Sequence, residues 1–290
     1  MYGSSSALPA ANVSTVYVPA YFEHIPTKPP ALTIFPAAGA AVRVPLPVDL
    51  PEQFRLIGYS NDGKTIYGQE IDSWDGIIKV QFGPLHQGLI AGSAGFGTVS
   101  SIVSLMPSGR ILVSGLFKGR GTVDCGIFEI DTNTRGARRL FEGKFPDCGG
   151  IISPDGKRSV QFPGNRLSIV DLDTGTVHPI GEGLSGATWS LDGRWIAAVA
   201  ATSKGASLVL IDANQTTLRR NLGPTKDSQA QWSPDSKYLL IARPQGLQCG
   251  PDLWSLETIS VATGKRTEVK SAHCRIFQNG TGWLDRNSVR

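Results

Sequence analysis

The sequence predicts an all-β protein, built as a ring of six copies of one four-stranded antiparallel unit. Three observations carry this expectation. A turn motif recurs at a near-constant interval. The segments between turns are short and β-rich. Glycine and proline concentrate at those turns. The chain has 290 residues, 40% of them hydrophobic, with 34 Gly and 19 Pro. That Gly and Pro content is above average but below the range of low-complexity disorder. The length alone would allow two domains, although single all-β domains of this size are common. A repeat running through most of the chain favours one.

The turns read Tyr59-Ser-Asn-Asp-Gly-Lys64, Leu105-Met-Pro-Ser-Gly-Arg110, Ile152-Ser-Pro-Asp-Gly-Lys157, Trp189-Ser-Leu-Asp-Gly-Arg194 and Trp232-Ser-Pro-Asp-Ser-Lys237, with a shortened sixth at Trp283-Leu-Asp-Arg-Asn287. The equivalent turn positions, 62, 108, 155, 192, 235 and 285, lie 46, 47, 37, 43 and 50 residues apart. Such spacing matches a four-stranded propeller blade. Proline presets φ, the Asp side chain caps the turn, and Gly accepts positive φ. The turn Asp residues Asp62, Asp155, Asp192 and Asp235 are therefore read as satisfying their own turns.

Each repeat follows the order strand a, turn, strand b, connection, strand c, turn, strand d. Strand b covers 110–114, 157–162, 194–199 and 237–242. Strand c covers 127–130, 167–172, 208–211 and 253–259. A second turn, such as Asp173-Thr-Gly175 or Ala262-Thr-Gly264, leads to a polar strand d. The sixth repeat is split. Trp283 supplies its strand a, while 31–35 and 41–46 read as its strands c and d. Joining the two ends closes a ring without a free edge. Strand b of that repeat is the weak point. Either Ser14–Val18 contributes, or the chain is part of a longer one. Residues 1–29, rich in Ser, Ala and Pro, read as a linker or tail, and 30–290 as the propeller.

Ser153-Pro-Asp-Gly-Lys157, Trp232-Ser-Pro-Asp-Ser-Lys237 and Ile169-Val-Asp-Leu-Asp-Thr-Gly175 resemble the WD-like repeats of TolB-like β-propellers. Similar blades form the propeller of prolyl-oligopeptidase-type enzymes. The resemblance covers 31–290, although the Gly-His and Trp-Asp dipeptides of true WD repeats are absent. It implies a six-bladed propeller acting as a binding module, with a protein or peptide partner as in envelope complexes.

The four cysteines fit this frame. Cys125 precedes strand c of the second repeat and Cys148 follows its strand d; Cys249 and Cys274 hold the same places in the fifth. The start of c and the end of d lie side by side, within the reach of a disulfide. The expected pairs are Cys125–Cys148 and Cys249–Cys274. The other reading is four free thiols in a cytoplasmic protein. Disulfides would imply an oxidising compartment, periplasmic or extracellular.

The b–c connections 68–76, 115–124 and 243–252 read as long, and 163–166 and 200–206 as short. Long loops on a rigid scaffold are where binding concentrates. The candidate binding residues are therefore Glu70, Asp72, Trp74, Phe117, Lys118, Arg120 and Gln245. Trp189, Trp232 and Trp283 are expected to pack between blades. Arg138-Arg139 and Arg219-Arg220 are expected to guard outer strands against edge pairing.

Several function classes lose support. Net charge is +4, with Lys and Arg scattered rather than gathered in a nucleic-acid stripe. The longest apolar run, 195–201, is far short of a membrane span, and residues 1–20 lack a basic leader region. No C-x-x-C or G-x-S-x-G occurs. Gly92–Gly97 does not match the dinucleotide fingerprint and reads as the link between the first two repeats. His24, His86, His178 and His273 lie in separate segments without ligand spacing. No catalytic residue, metal or cofactor is expected, and the protein is expected to be a monomer. Two alternatives stand: a propeller lyase, lactonase or hydrolase using the central channel, or a sensory fragment of a larger chain.

Overall fold

The computed structural model describes residues 17–25, 28–35, 42–46, 50, 54–59, 64–70, 77–81, 86–91, 96–105, 110–118, 123–131, 137–141, 150–162, 166–203, 205–225, 230–244, 254–272 and 281–285. Among these residues, strands form six four-stranded antiparallel sheets. Sheet 6 joins the two ends of the chain. It contains β1 (Tyr17–Ile25), β2 (Lys28–Ile34) and β3 (Val42–Pro45), with β24 (Thr281–Asp285) as its first strand, paired with β1.

Sheet 1 is β4 (Phe54–Tyr59), β5 (Thr65–Glu70), β6 (Ile77–Gln81) and β7 (His86–Ala91). Sheet 2 is β8 (Phe96–Leu105), β9 (Arg110–Lys118), β10 (Val123–Asp131) and β11 (Ala137–Phe141). Sheet 3 is β12 (Ile151–Ile152), β13 (Arg158–Gln161), β14 (Arg166–Asp171) and β15 (Val177–Glu182). Sheet 4 is β16 (Leu184–Trp189), β17 (Trp195–Thr202), β18 (Gly205–Asp212) and β19 (Arg219–Pro224). Sheet 5 is β20 (Gln231–Trp232), β21 (Tyr238–Pro244), β22 (Trp254–Ser260) and β23 (Arg266–Ala272). The first strands of consecutive sheets adjoin in the order β24, β4, β8, β12, β16, β20 and back to β24.

Strand alternation explains how the sheets pack. Successive side chains point to opposite faces. In β17, Ile196 and Ala198 join Val160, Leu167 and Ile169 of sheet 3, while Ala197 and Val199 join Leu239 and Ile241 of sheet 5. Middle strands are thus buried on both faces and read as continuous apolar runs. Outer strands such as β15 are largely exposed, which is why their sequences are polar.

One expectation needs correction. Residues 17–25, assigned to the tail with only Ser14–Val18 offered as a contributor, form β1, the missing strand b of the sixth repeat, and Lys28 and Pro29, also assigned to the tail, open β2. Tyr17 lies opposite Asp285 and Tyr21 opposite Thr281, and β2 pairs on the other side. Pro19 hid this strand, because proline donates no ladder bond and normally argues against a central position. Here its carbonyl still accepts a bond from Phe35 N–H at 2.9 Å.

The a–b turns are built as their residue types require. The hydroxyls of Ser153, Ser190 and Ser233 donate to Asp155, Asp192 and Asp235 at 2.5, 2.6 and 2.7 Å. Each carboxylate also accepts a backbone N–H, from Lys157, Arg194 or Lys237. Gly156 and Gly193 hold φ of 73° and 70°; the fifth repeat places Ser236 there at 58°. Ser236 is kept by a contact between sheets, since its hydroxyl accepts Asp192 N–H at 3.0 Å. Ser236→Ala retains the left-handed backbone and loses this bond, so it should destabilise by about 1 kcal/mol. Ser236→Gly should stay within about 0.5 kcal/mol of the parent, because relief of roughly 1 kcal/mol of backbone strain offsets the lost bond. Urea titration of both variants checks the ordering.

The turns also make stability depend on pH. Asp171 accepts Thr174 N–H at 2.8 Å, the Thr174 hydroxyl at 2.9 Å and Asp173 N–H at 3.0 Å. These bonds, that of Thr174 N–H foremost, hold its carboxyl below the ordinary value. Partial burial pushes Asp155 up, but the Ser153 hydroxyl, Lys157 N–H and the charges of Arg158 and Lys157 outweigh it and hold it low. A carboxyl whose folded pKa is depressed stabilises the fold above its unfolded pKa and loses that contribution as pH falls through the folded value. The melting temperature should therefore drop as pH falls below about 5. Asp155→Asn/Asp171→Asn should show a shallower drop in thermal melts across pH 2–6, and parallel curves would refute the assignment.

Candidate binding face

The sheets have two ends. One end carries the a–b and c–d turns, including 153–157, 190–194 and 233–237. The other carries the b–c connections and the links from each strand d to the next strand a. At this second end the connections are unequal. Those of sheets 1 and 5 are residues 71–76 and 245–253, whereas those of sheets 2, 3, 4 and 6 are 119–122, 162–165, 203–204 and 26–27. The d–a links are equally uneven. Gly183 alone joins sheet 3 to sheet 4, while 142–150 and 273–280 join sheets 2 to 3 and 5 to 6.

The expected long connection of the second repeat is shorter than its sequence suggested. β9 runs on to Lys118 and β10 begins at Val123, so Lys118 lies opposite Val123 and Phe117 opposite Asp124. Ladder pairing extends through the glycine-containing segment, where local turn chemistry had suggested a loop. Phe117 and Lys118 therefore stand at a strand end rather than on a loop. Cys125 likewise lies inside β10, opposite Leu116, rather than ahead of the strand. Glu70 ends β5, opposite Phe54. Asp72, Trp74, Arg120, Gln245, Cys148, Cys249 and Cys274 lie outside the described residues.

Trp189, Trp232 and Trp283 pack between sheets as expected, and what sequence reasoning missed is the set of hydrogen bonds that clamp the sheets. The indoles of Trp189, Trp232 and Trp283 each donate to a carbonyl in the preceding sheet, on Ile151, Thr188 and Gln231, at 2.9, 3.2 and 3.3 Å. Arginines bind carbonyls of neighbouring sheets. Arg219 reaches Ile180, Arg266 reaches Leu222 and Arg158 reaches Ala213, at 2.7, 3.0 and 3.0 Å. Arg220 binds Val261 and Ala262. Arg219 and Arg220, read as edge guards, thus tie sheets together. The repeat of the Trp and Arg positions was visible in the sequence, but their partners lie on other repeats. Arg158 also stands over the Trp189 ring at 5.0 Å, adding a cation–π contact.

Glu129 and Arg138 of sheet 2 pair at 2.8 Å, and Glu257 and Arg266 of sheet 5 pair at 3.1 Å. Both pairs link strand c to strand d across nine residues, in the two repeats that hold the cysteines. Among the described residues no cluster of His, Cys, Asp and Glu is arranged to hold a metal ion. No described helix is long and apolar enough to cross a membrane.

Four-stranded antiparallel sheets, packed face to face with their first strands adjoining, define a β-propeller. No protein-family model matches the sequence, and no curated protein matches it. Solved structures do match. TolB from Acinetobacter baumannii superposes with a TM-score of 0.66 at 20% identity, covering 92% of this chain and 66% of that one. This chain thus spans slightly less than two thirds of that TolB. A putative TolB from Agrobacterium tumefaciens gives 0.56 at 16% identity over 90% and 91%. The nidogen/laminin complex gives 0.60 at 14% identity over 93% and 98%. An oligogalacturonate lyase from Vibrio parahaemolyticus gives 0.56 at 11% identity over 90% and 83%. The chain has the fold of the TolB-like β-propellers.

Proposed function

We propose that this chain is a six-bladed, non-catalytic interaction module that presents a protein- or peptide-binding face on a rigid ring. The unequal connections at one end of the sheets carry the reading. The connections of sheets 1 and 5, residues 71–76 and 245–253, are long, and the intervening sheet 6 has only the short connection 26–27. A partner would sit across sheet 6, between the two long connections, which contain Asp72, Trp74 and Gln245. Glu70, Phe117, Lys118 and Arg120 extend the same end through sheets 1 and 2. The cycle of adjoining first strands supports the ring of six. Four of the six inner strands, β8, β12, β16 and β20, consist of neutral residues, and the other two, β4 and β24, each carry one charged residue, Arg55 and Asp285, which favours binding over a reaction on the axis. The nidogen/laminin likeness adds a propeller found in a protein complex.

Photo-crosslinkers at positions 74 and 245, expressed in cells that make the protein, test this. A common protein adduct from both sites, absent when the crosslinker replaces Lys157 or Lys237 on the opposite end, is the expected result. Equal labelling from both ends, or none from 74 and 245, would refute it. The same reading places the chain outside the cytoplasm, with Cys125–Cys148 and Cys249–Cys274 bridged. Denatured, unreduced protein should then show no reactive thiol and reduced protein four; four before reduction would overturn both the bridges and the location.

A further inference from the structure

Sheet 3 has two unlike faces. Towards sheet 4 it presents Val160, Leu167 and Ile169. The opposite face presents Ser159 and Gln161 from β13, with Ser168 of β14 directly opposite Gln161. These three are 0%, 1% and 1% exposed. Yet both amide atoms of Gln161 and the hydroxyls of Ser159 and Ser168 have no hydrogen-bond partner among the described residues. A glutamine amide can donate twice and accept through two lone pairs, and each hydroxyl can do both. Buried groups of this kind are paired in native proteins, with ordered water where no protein group reaches them. The space between them is guarded. A Cβ added at Gly150 would stand 2.7 Å from the Ser159 hydroxyl and 3.3 Å from Cγ of Gln161.

We propose that Gln161, Ser159 and Ser168 form a buried hydration site on this face of sheet 3, kept open by Gly150 and filled by ordered water. The donors and acceptors are neutral, so they offer nothing to balance a charge. Their near-complete burial excludes a ligand that must reach bulk solvent. A water needs about two to four polar partners, and these three side chains can supply them. The described seams between sheets 3, 4, 5 and 6 are apolar by contrast. Gln161 ends strand b, so the site lies near the end of the sheet that carries the unequal connections.

Crystal structures of the parent and of Gln161→Met at a resolution of about 1.5 Å test this, together with thermal melts. The parent should show ordered water at roughly 2.7–3.2 Å from the Gln161 amide and from at least one serine hydroxyl. The variant should lose that water and melt several degrees lower. A dry parent site, or a Gln161 amide bonded to a side chain of sheet 2, overturns the proposal. So does a higher melting temperature in Gln161→Met, which would mean that the amide is merely an unpaired burden. Ser168→Ala is a smaller change and provides the same test if Gln161→Met does not fold. Reduced water occupancy with a lower melting temperature supports the site, and unchanged occupancy overturns it.

Discussion

Trp232→Ala is expected to destabilise the protein by about 3–5 kcal/mol, the range for removing a large buried aromatic. Trp232 is 8% exposed and packs among Ala197, Val199, Leu208 and Leu210 of sheet 4 and Leu239 and Ile241 of its own sheet. Removing the indole leaves a cavity between two sheets, because their backbones are fixed by ladder bonds and cannot collapse into it. The loss should also spread, since Trp232 donates to Thr188 while the Thr188 hydroxyl donates to Ala230, the residue two before Trp232. Trp232→Phe keeps most of the packing and loses the donor. It should cost about 1–2 kcal/mol, of which roughly 1 is the hydrogen bond. Urea unfolding followed by circular dichroism measures both. A Trp232→Ala cost below that of Trp232→Phe would refute a packing role for the indole between sheets 4 and 5.

The second large effect is at the ion pair of sheet 5. The side chains of Arg266 and Glu257 are only 24% and 11% exposed, and Arg266 also donates to Leu222 of sheet 4. Arg266→Ala should cost about 3–5 kcal/mol, because it takes the arginine partner from a mostly buried carboxylate and removes a clamp between sheets. The double change Glu257→Leu/Arg266→Met should cost less than Arg266→Ala alone, since replacing both charges removes the desolvation burden along with the attraction. Arg138→Ala is the control. Its pair with Glu129 has the same strand geometry and Glu129 is likewise only 11% exposed, but Arg138 is 69% exposed, so solvent screens this pair more and the cost should be smaller than for Arg266→Ala. Equal costs for Arg138→Ala and Arg266→Ala would show that burial does not set the strength of these pairs.

The parts of the fold legible in the sequence are those with local causes. A Ser-Pro-Asp-Gly turn needs only its own residues, and the turns at 153–157, 190–194 and 233–237 form where the motif stands. The alternation of Ile196, Ala197, Ala198 and Val199 requires a strand buried on both sides. The candidate face was legible only in outline. Connections 71–76 and 245–253 remain, but Phe117, Lys118 and Cys125 proved to be strand residues, because β9 and β10 pair beyond the point where glycines suggested a loop.

The repeat, its turn chemistry and the split of one repeat between the two ends follow from the sequence by itself, because each copy restates the same local rules. Only the tertiary structure decided that Tyr17–Ile25 completes the sixth sheet against a proline, since that pairing reaches to Thr281–Asp285. It also decided that Arg219 and Arg220 clamp neighbouring sheets rather than guard an edge, and that Arg266 ties sheet 5 to sheet 4. The same holds for Gln161, Ser159 and Ser168, which meet as buried polar groups on a single face. Partners that belong to different repeats leave no local pattern, so their choice is made only when the sheets pack.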